Sequence, residues 1–250
     1  MSGHSKWSTI KRRKGVEDAK RGKIFTRLAR DITVAAREGG GDESSNPRLK
    51  LAIAKAKGEN MPKDNIERAL LRGTGKGEGD NMEEITYEGY GPDGIAFIID
   101  TLTDNKNRTI ADVKRVFNRA GGSMASAGAV AWQFEQKGTL ELEGENLDFD
   151  NVFMVAAEAG ADDVINEDGV IIVYTPREMF GAVEEALNTE GYVISEAGLK
   201  WIAKTEAEAE VEKAIQNMKL MSDLEDLDDV QTVASNLMLT DEILSAFETA

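Results

Sequence analysis

Acid–base, nucleophilic and metal chemistry has few carriers in this sequence. There is one histidine, His4, and no cysteine. Without Cys there is no thiolate nucleophile, thiolate zinc site or disulfide, and one His cannot build a multi-histidine metal site. A Ser-His-Asp triad would have to recruit His4 from a basic tail, and Gly121-Gly122-Ser123 lacks the G-x-S-x-G elbow. The acidic run Asp223, Glu225, Asp226, Asp228 and Asp229 has no EF-hand spacing and reads as solvated negative surface rather than a metal site. Residues 73–79, GTGKGEG, lack the GxxxxGK[ST] spacing of a phosphate loop and read as a linker. The expectation is a protein that is not an enzyme and has no metal and no cofactor.

What the sequence does carry is cations placed to meet phosphates. The 250 residues hold 30 Lys plus Arg against 46 Asp plus Glu, a formal net charge of −16. Residues 1–76 contain 19 Lys/Arg and 9 Asp/Glu, net +10, and residues 77–250 contain 11 and 37, net −26. A basic first third on an acidic remainder fits a polyanion-binding module on a self-solubilising body. A merely solvated set of helix faces is the competing reading, and clustering on one face decides between them. Residues 3–15, GHSKWSTIKRRKG, contain Lys6, Lys11, Arg12, Arg13 and Lys14 and no acid. Trp7 and Ile10 read as apolar anchors for this tail, with base stacking as the other role open to Trp7. A second basic cluster, Lys106, Arg108, Lys114, Arg115 and Arg119 against Asp112 alone, is either a functional patch or a chance surface cluster.

The elements that must position these cations follow from periodicity. From residue 17 to 38, Phe25, Leu28, Ala29, Ile32, Ala35 and Ala36 recur at helical spacing. Steps of about 100° per residue put Lys20, Lys23, Arg27, Arg30 and Arg37 on the opposite face. Gly39-Gly40-Gly41 end that helix, and Asn46 with Pro47 starts a second, with Arg48, Lys50, Lys55 and Lys57 at its margins. A third opens near Pro62 and stops at Gly73, giving a small bundle. The connection over residues 39–45 is longer than a helix-turn-helix turn, so no recognition helix is assigned.

Downstream, residues 85–90 and 95–101 read as strands around Gly91-Pro92-Asp93-Gly94. A polar loop over 103–108 and a helix capped by Thr109 follow, with AVAWQF (129–134) as a third strand. Residues 139–194 read β-α-β-β-α-β, a split βαβ or ferredoxin-like unit. Ala207, Val211, Ala214, Ile215 and Met218 mark a further helix, and residues 230–237 a strand that would return to the earlier sheet. The fold class is α+β: a three-helix domain (1–76), a discontinuous α+β domain (80–135 plus 205–250), and an inserted βαββαβ domain (136–204). No apolar run reaches the roughly 18–20 residues of a membrane span, so no membrane partner is expected.

The stretches GHSKWSTIKRRKGVEDAKRGKIFTRLARDITVAAREGGGD, NPRLKLAIAKAKGENMPKDNIERALLRGTG, EITYEGYGPDGIAFIIDTLTDNKNRT and AVAWQF resemble the YebC family, over essentially the whole chain. Its members are described as probable transcriptional regulatory proteins, and a mitochondrial relative as a translational activator of a cytochrome oxidase subunit. The resemblance implies a helical domain followed by two α+β domains, one inserted in the other, without enzyme activity or cofactor. It implies nucleic-acid binding through Lys6, Lys11, Arg12, Lys14, Lys20, Arg21, Lys23, Arg27 and Arg30, with Lys55, Lys57 and Lys63 as lesser candidates. Ala125, in GGSMASAG, stands where relatives often have Gly. The resemblance starts at Gly3, leaving no room for a transit peptide, so a bacterial cytoplasmic protein is expected.

Three functions compete on these observations. The first is a DNA-binding regulator of transcription, with the acidic domains contacting partners. The second is a translation factor that binds ribosomal RNA through the bundle and uses Lys106–Arg119 on a second surface. The third is an interaction protein whose basic domain binds another protein. Charge alone does not separate DNA from RNA, because Lys and Arg meet the same phosphates in both.

Overall fold

The computed structural model describes residue 7 and residues 18–75, 83–144, 147–167 and 169–249. Its first unit is helical: α1 (Asp18–Gly39), α2 (Pro47–Gly58) and α3 (Lys63–Gly73). Leu28, Ile32, Ala35, Leu49, Ile53 and Ala56 form its core, so the apolar spacing identifies the buried faces of α1 and α2. Asn46 caps α2 as its sequence suggests, its side chain accepting from the Leu49 N–H at 3.0 Å. Gly73 lets α1 and α3 touch: a Cβ there would lie 2.4 Å from the Thr33 carbonyl oxygen and 2.6 Å from the Ala36 Cβ. Thr33 Oγ1 also lies 3.1 Å from the Ala69 carbonyl oxygen, across the same contact.

The second unit contains β1 (Glu83–Tyr90), β2 (Ala96–Thr103), α4 (Lys106–Arg119) and β3 (Ser123–Ala125). It is completed by α7 (Val211–Glu225), β8 (Val230–Ser235) and α8 (Asp241–Thr249) from the C-terminal end of the chain. Its antiparallel sheet has the order β3-β1-β2-β8. Central β2 is apolar on both faces for a physical reason. Ile95, Phe97 and Ile99 pack with Val113, Phe117 and Met218 beneath α4 and α7. Ala96 and Ile98 face Val130, Phe134 and Trp201 on the other side. A strand covered on both faces loses the polar alternation of a half-exposed one.

Between β3 and α7 lies the third unit: β4 (Phe134–Leu142), α5 (Phe149–Glu158), β5 (Asp163–Glu167), β6 (Val170–Pro176), α6 (Phe180–Thr189) and β7 (Ile194–Ala203). The β-α-β-β-α-β order matches the sequence reading, and the sheet order β5-β6-β4-β7 is that of a split βαβ sandwich. Phe134 pairs with Ala203, so the chain leaves and re-enters the second unit on adjacent antiparallel strands. The fold class is α+β. Among the described residues, no helix is long and apolar enough to cross a membrane.

Four expectations are corrected. AVAWQF is not a strand: residues 131–133 form a 3-10 turn and Ser123–Ala125 is the third strand. The reason is Glu88, whose carboxylate accepts from the Gly128, Val130 and Ala131 N–H groups at 2.6, 2.6 and 2.9 Å, taking donors a ladder would need. The helix expected to be capped by Thr109 is capped four residues earlier, by Asn105, which accepts from the Arg108 N–H. Ala207 bridges to Leu237 instead of joining α7. Helix α8, which no expectation covered, closes the second core through Ile243 and Phe247. Ala125 is an ordinary strand residue paired with Glu88, so Gly freedom is not required there.

Candidate nucleic-acid interface

The expected cations divide into three groups. Lys6, Lys11, Arg12, Arg13 and Lys14 lie outside the described residues, as do the side chains of Lys20, Arg21 and Lys23, although α1 carries the last three. Exposed in the helical unit are Arg48, Lys50, Lys55, Lys57 and Lys63 on α2 and α3, with Arg68 and Arg72 further along α3. Arg27 is partly exposed on α1, near Asp31. Several of these are already matched. Arg48 pairs with Glu84, Lys55 approaches Glu196 at 3.7 Å, and Lys63 pairs with Glu67 one turn on.

Arg30 behaves differently from the stripe to which its spacing assigns it. Its Nη1 lies 2.7 Å from Asp229 Oδ1 and donates to the Asp228 carbonyl oxygen at 2.6 Å. Asp229, 5 % exposed, also receives Arg108 Nε and Nη2 at 3.1 and 2.9 Å and the Thr109 hydroxyl at 2.8 Å. Burial alone would raise the Asp229 pKa. The hydrogen bonds from Arg108 and Thr109 and the Arg30 and Arg108 charges outweigh it and hold the carboxyl below its usual range. A phosphate reaching Arg30 would compete with this carboxylate.

The acidic run expected to be solvated surface is so only in part: Asp226 and Asp228 are exposed, while Asp229 is buried against Arg30 of the helical unit. Asp228 and Asp229 receive Arg30, Asp223 pairs with Arg119 at 2.5 Å, and Glu225 accepts from Trp7 Nε1 at 3.1 Å. The reason is position: these residues end α7 and lead into β8, where the first and second units meet. Trp7 is 4 % exposed in the second core, its ring centroid 5.9 Å from that of Phe247. The anchor role expected of Trp7 is the one the fold uses, and base stacking is closed to a ring so covered.

The second cluster is largely neutralised where it stands. Lys106 pairs with Glu83 at 2.5 Å, Arg108 with Asp104 at 2.7 Å and with Asp229, Arg115 with Asp112, and Arg119 with Asp223. Among the described residues, only Lys114 of this cluster has no carboxylate within salt-bridge distance. A count along the chain gives this helix +4, but its tertiary neighbours cancel most of it.

Sequence reasoning missed one concave feature. A cavity of about 380 Å³ is lined by residues of α1 and α3 together with Met61 and Asp104. Its apolar wall is Phe25, Ala29, Met61 and Ala69. Its polar wall includes Thr33 and Asn65 with three arginines, Arg30, Arg68 and Arg72. The i, i+4 spacing of Arg68 and Arg72 was the available signal, visible once the side of α3 facing α1 is known. Among the described residues there is no group of three or more His, Cys, Asp or Glu that could hold a metal.

The arrangement is a cationic helical module, latched by an ion pair and a buried Trp onto two antiparallel α+β units, one inserted in the other. That describes a multi-domain α+β protein. The sequence signature described as "TACO1/YebC protein N-terminal domain" matches residues 5–76, and "TACO1/YebC second and third domain" matches residues 82–237. The chain belongs to the TACO1/YebC family. A "probable transcriptional regulatory protein" of Trichlorobacter lovleyi is 52 % identical over 236 residues, covering 94 % of this chain and 95 % of that protein. One of the same description from Herpetosiphon aurantiacus is 51 % identical over 248 residues, 99 % of this chain and 98 % of the other. The crystal structure of a conserved hypothetical protein from Aquifex aeolicus superposes with a TM-score of 0.85 at 42 % identity, covering 91 % of this chain and 94 % of that one.

Proposed function

We propose that this chain is a regulator of gene expression that works by binding nucleic acid, in the leading reading a DNA-binding regulator of transcription. The N-terminal module is its contact surface. The observation that carries the reading is where positive charge survives: acids match most of the α4 cluster, whereas in the module, +10 by sequence, Lys50, Lys57, Arg68 and Arg72 have no carboxylate within 4 Å among the described residues. The naming of the relatives as probable transcriptional regulatory proteins supports the regulatory half. In this reading the protein has a binding role and no catalytic one, and acts in the cytoplasm.

A second reading, an RNA-binding translation factor on the ribosome, draws on a specific observation. Seven residues, 40–46, separate α1 from α2, against the 3–4 of a helix-turn-helix turn. The cationic surface therefore suits phosphate contacts better than base readout in a major groove.

The test is binding of a DNA duplex and an RNA hairpin over a salt series, with the affinity expected to fall linearly on log axes. Lys20→Glu, Lys23→Glu and Arg27→Glu together should abolish it, with Arg30 kept so that the Asp229 pair survives. Unchanged binding in that variant removes the module from the function. Crosslinking in cells separates the readings: promoter DNA alone argues against translation, ribosomal RNA alone against transcription.

A further inference from the structure

The charges around the α1–α3 cavity do not cancel. Arg30 is matched by Asp229, and the one lining acid, Asp104, is matched by Arg108 at 2.7 Å. Arg68 and Arg72 remain. Arg68 donates to the Asp64 carbonyl oxygen at 3.1 Å and to the Asn65 side chain, both uncharged acceptors. Among the described residues neither Arg68 nor Arg72 has a carboxylate within 4 Å, and they stand one turn apart on α3. Like charges at this spacing repel, so a shared anion would relieve an existing strain between them. Phe25 and Ala29 of α1, with Met61 and Ala69, supply the apolar part of the same lining, so an aromatic side chain shares the cavity with the two arginines.

Two uncompensated guanidinium groups beside an aromatic and aliphatic wall match a ligand with an anion at one end and a flat ring at the other. A cavity of about 380 Å³ is at the smaller end of small-molecule sites and admits one nucleotide. Arginine suits the phosphate because its planar fork meets two oxygens at once, and a base stacks on an aromatic face whatever its sequence. A duplex keeps its bases paired and stacked, so only an unstacked or free nucleotide could enter.

We propose that this cavity binds a single nucleotide unit, with Arg68 and Arg72 on the phosphate and Phe25 against the base. Where that unit belongs to a strand, the proposal rests on the nucleic-acid reading above and gives the protein a preference for single strands. A free nucleotide offers the same chemistry.

The test uses the full chain with three probes: a labelled single-stranded 12-mer, a duplex of the same sequence, and AMP. Arg68→Gln with Arg72→Gln should weaken the single strand at least about tenfold while duplex binding changes no more than about threefold. Phe25→Leu, which keeps an apolar side chain without the ring, should weaken the single strand about threefold or more. Lys213→Gln with Lys219→Gln on α7 removes the same charge elsewhere and should leave single-strand binding as it was. AMP that binds in an Arg68/Arg72-dependent way and displaces the strand identifies a free nucleotide as a ligand. Strand binding with that dependence, but no competition by AMP, identifies a nucleotide within a chain. A wild-type protein that binds strands while the double Arg variant binds them equally well, and that does not bind AMP, overturns the cavity proposal and leaves the nucleic-acid reading intact. A wild-type protein that binds neither the strand nor the duplex but binds AMP through these arginines overturns that reading and supports the cavity.

Discussion

Arg30 on α1 and Asp229 at the start of β8 meet at 2.7 Å, joining the cationic module to the acidic body through a carboxylate that also holds Arg108 and Thr109. Arg30 retains only 18 % side-chain exposure, so this pair is screened less than an ordinary surface bridge. A double-mutant cycle with Arg30→Ala and Asp229→Asn should return a coupling of about 1–3 kcal/mol in urea unfolding. Asp229→Asn alone should be the more costly change, because it strands two arginines. A coupling near zero would make the contact incidental.

Trp7 ties the N-terminal segment to the second core through Phe247 and Glu225. Trp7→Ala should cost about 3–5 kcal/mol by opening a cavity among large side chains. Trp7→Phe keeps the ring and loses the Glu225 hydrogen bond, a loss of about 1 kcal/mol. Nucleic-acid affinity of Trp7→Phe should equal that of the wild type, since the buried indole is not available to a base.

Glu88, 6 % exposed, organises the turn over residues 128–131. Burial would raise its pKa, but three backbone N–H bonds outweigh that and hold the carboxyl below its usual range. Its contribution to stability is therefore complete above the unfolded pKa of about 4.3 and is lost as the pH falls through the lower folded value. Glu88→Gln should destabilise by about 2–3 kcal/mol at neutral pH. The gap to the wild type, followed by thermal melts, should narrow below about pH 4.

Asp31 on α1 has the opposite sign. Burial pushes its pKa up to about 6, against the pull of Lys55, Arg48 and Arg27, and Glu84 adds to the rise. The folded protein then holds a proton that the unfolded chain releases near pH 4, so this group removes stability as the pH rises from about 4 to about 6. Asp31→Asn should raise the melting temperature at pH 7.5, by no more than about 3 kcal/mol in stability, and the gain should vanish at pH 4. A lower melting temperature at pH 7.5 would show that the charged carboxylate is needed by α2.

The α4 cluster should divide by role. Arg108→Ala removes two bonds to Asp229 and should cost about 1–2 kcal/mol, whereas Lys114→Ala on the exposed face should stay within about 0.5 kcal/mol. If Lys114→Ala alone lowered nucleic-acid affinity tenfold, α4 would return as a second contact surface.

Local pattern was sufficient for much of this molecule. The buried faces of α1 and α2, the Asn46 cap and the β-α-β-β-α-β order of the third unit all depend on neighbours within a few residues, and each is visible along the chain. The segregation of charge into a basic first third is likewise a property of the sequence alone. AVAWQF escaped that logic because a carboxylate forty residues away captures its N–H groups, and Thr109 because its hydroxyl turns to Asp229 instead of capping a helix.

Which cations are free to meet a ligand was decided only by tertiary structure. A helix period tells which side chains share a face, but not which acid from a distant segment will stand opposite them. Arg30 and Arg68 look equivalent by spacing and charge. The fold sets Arg30 against Asp229, while Arg68 has only uncharged acceptors beside a cavity. Coulomb attraction depends on separation in space and on local burial, and for these residues both are set by the packing of α1 against the α7–β8 corner.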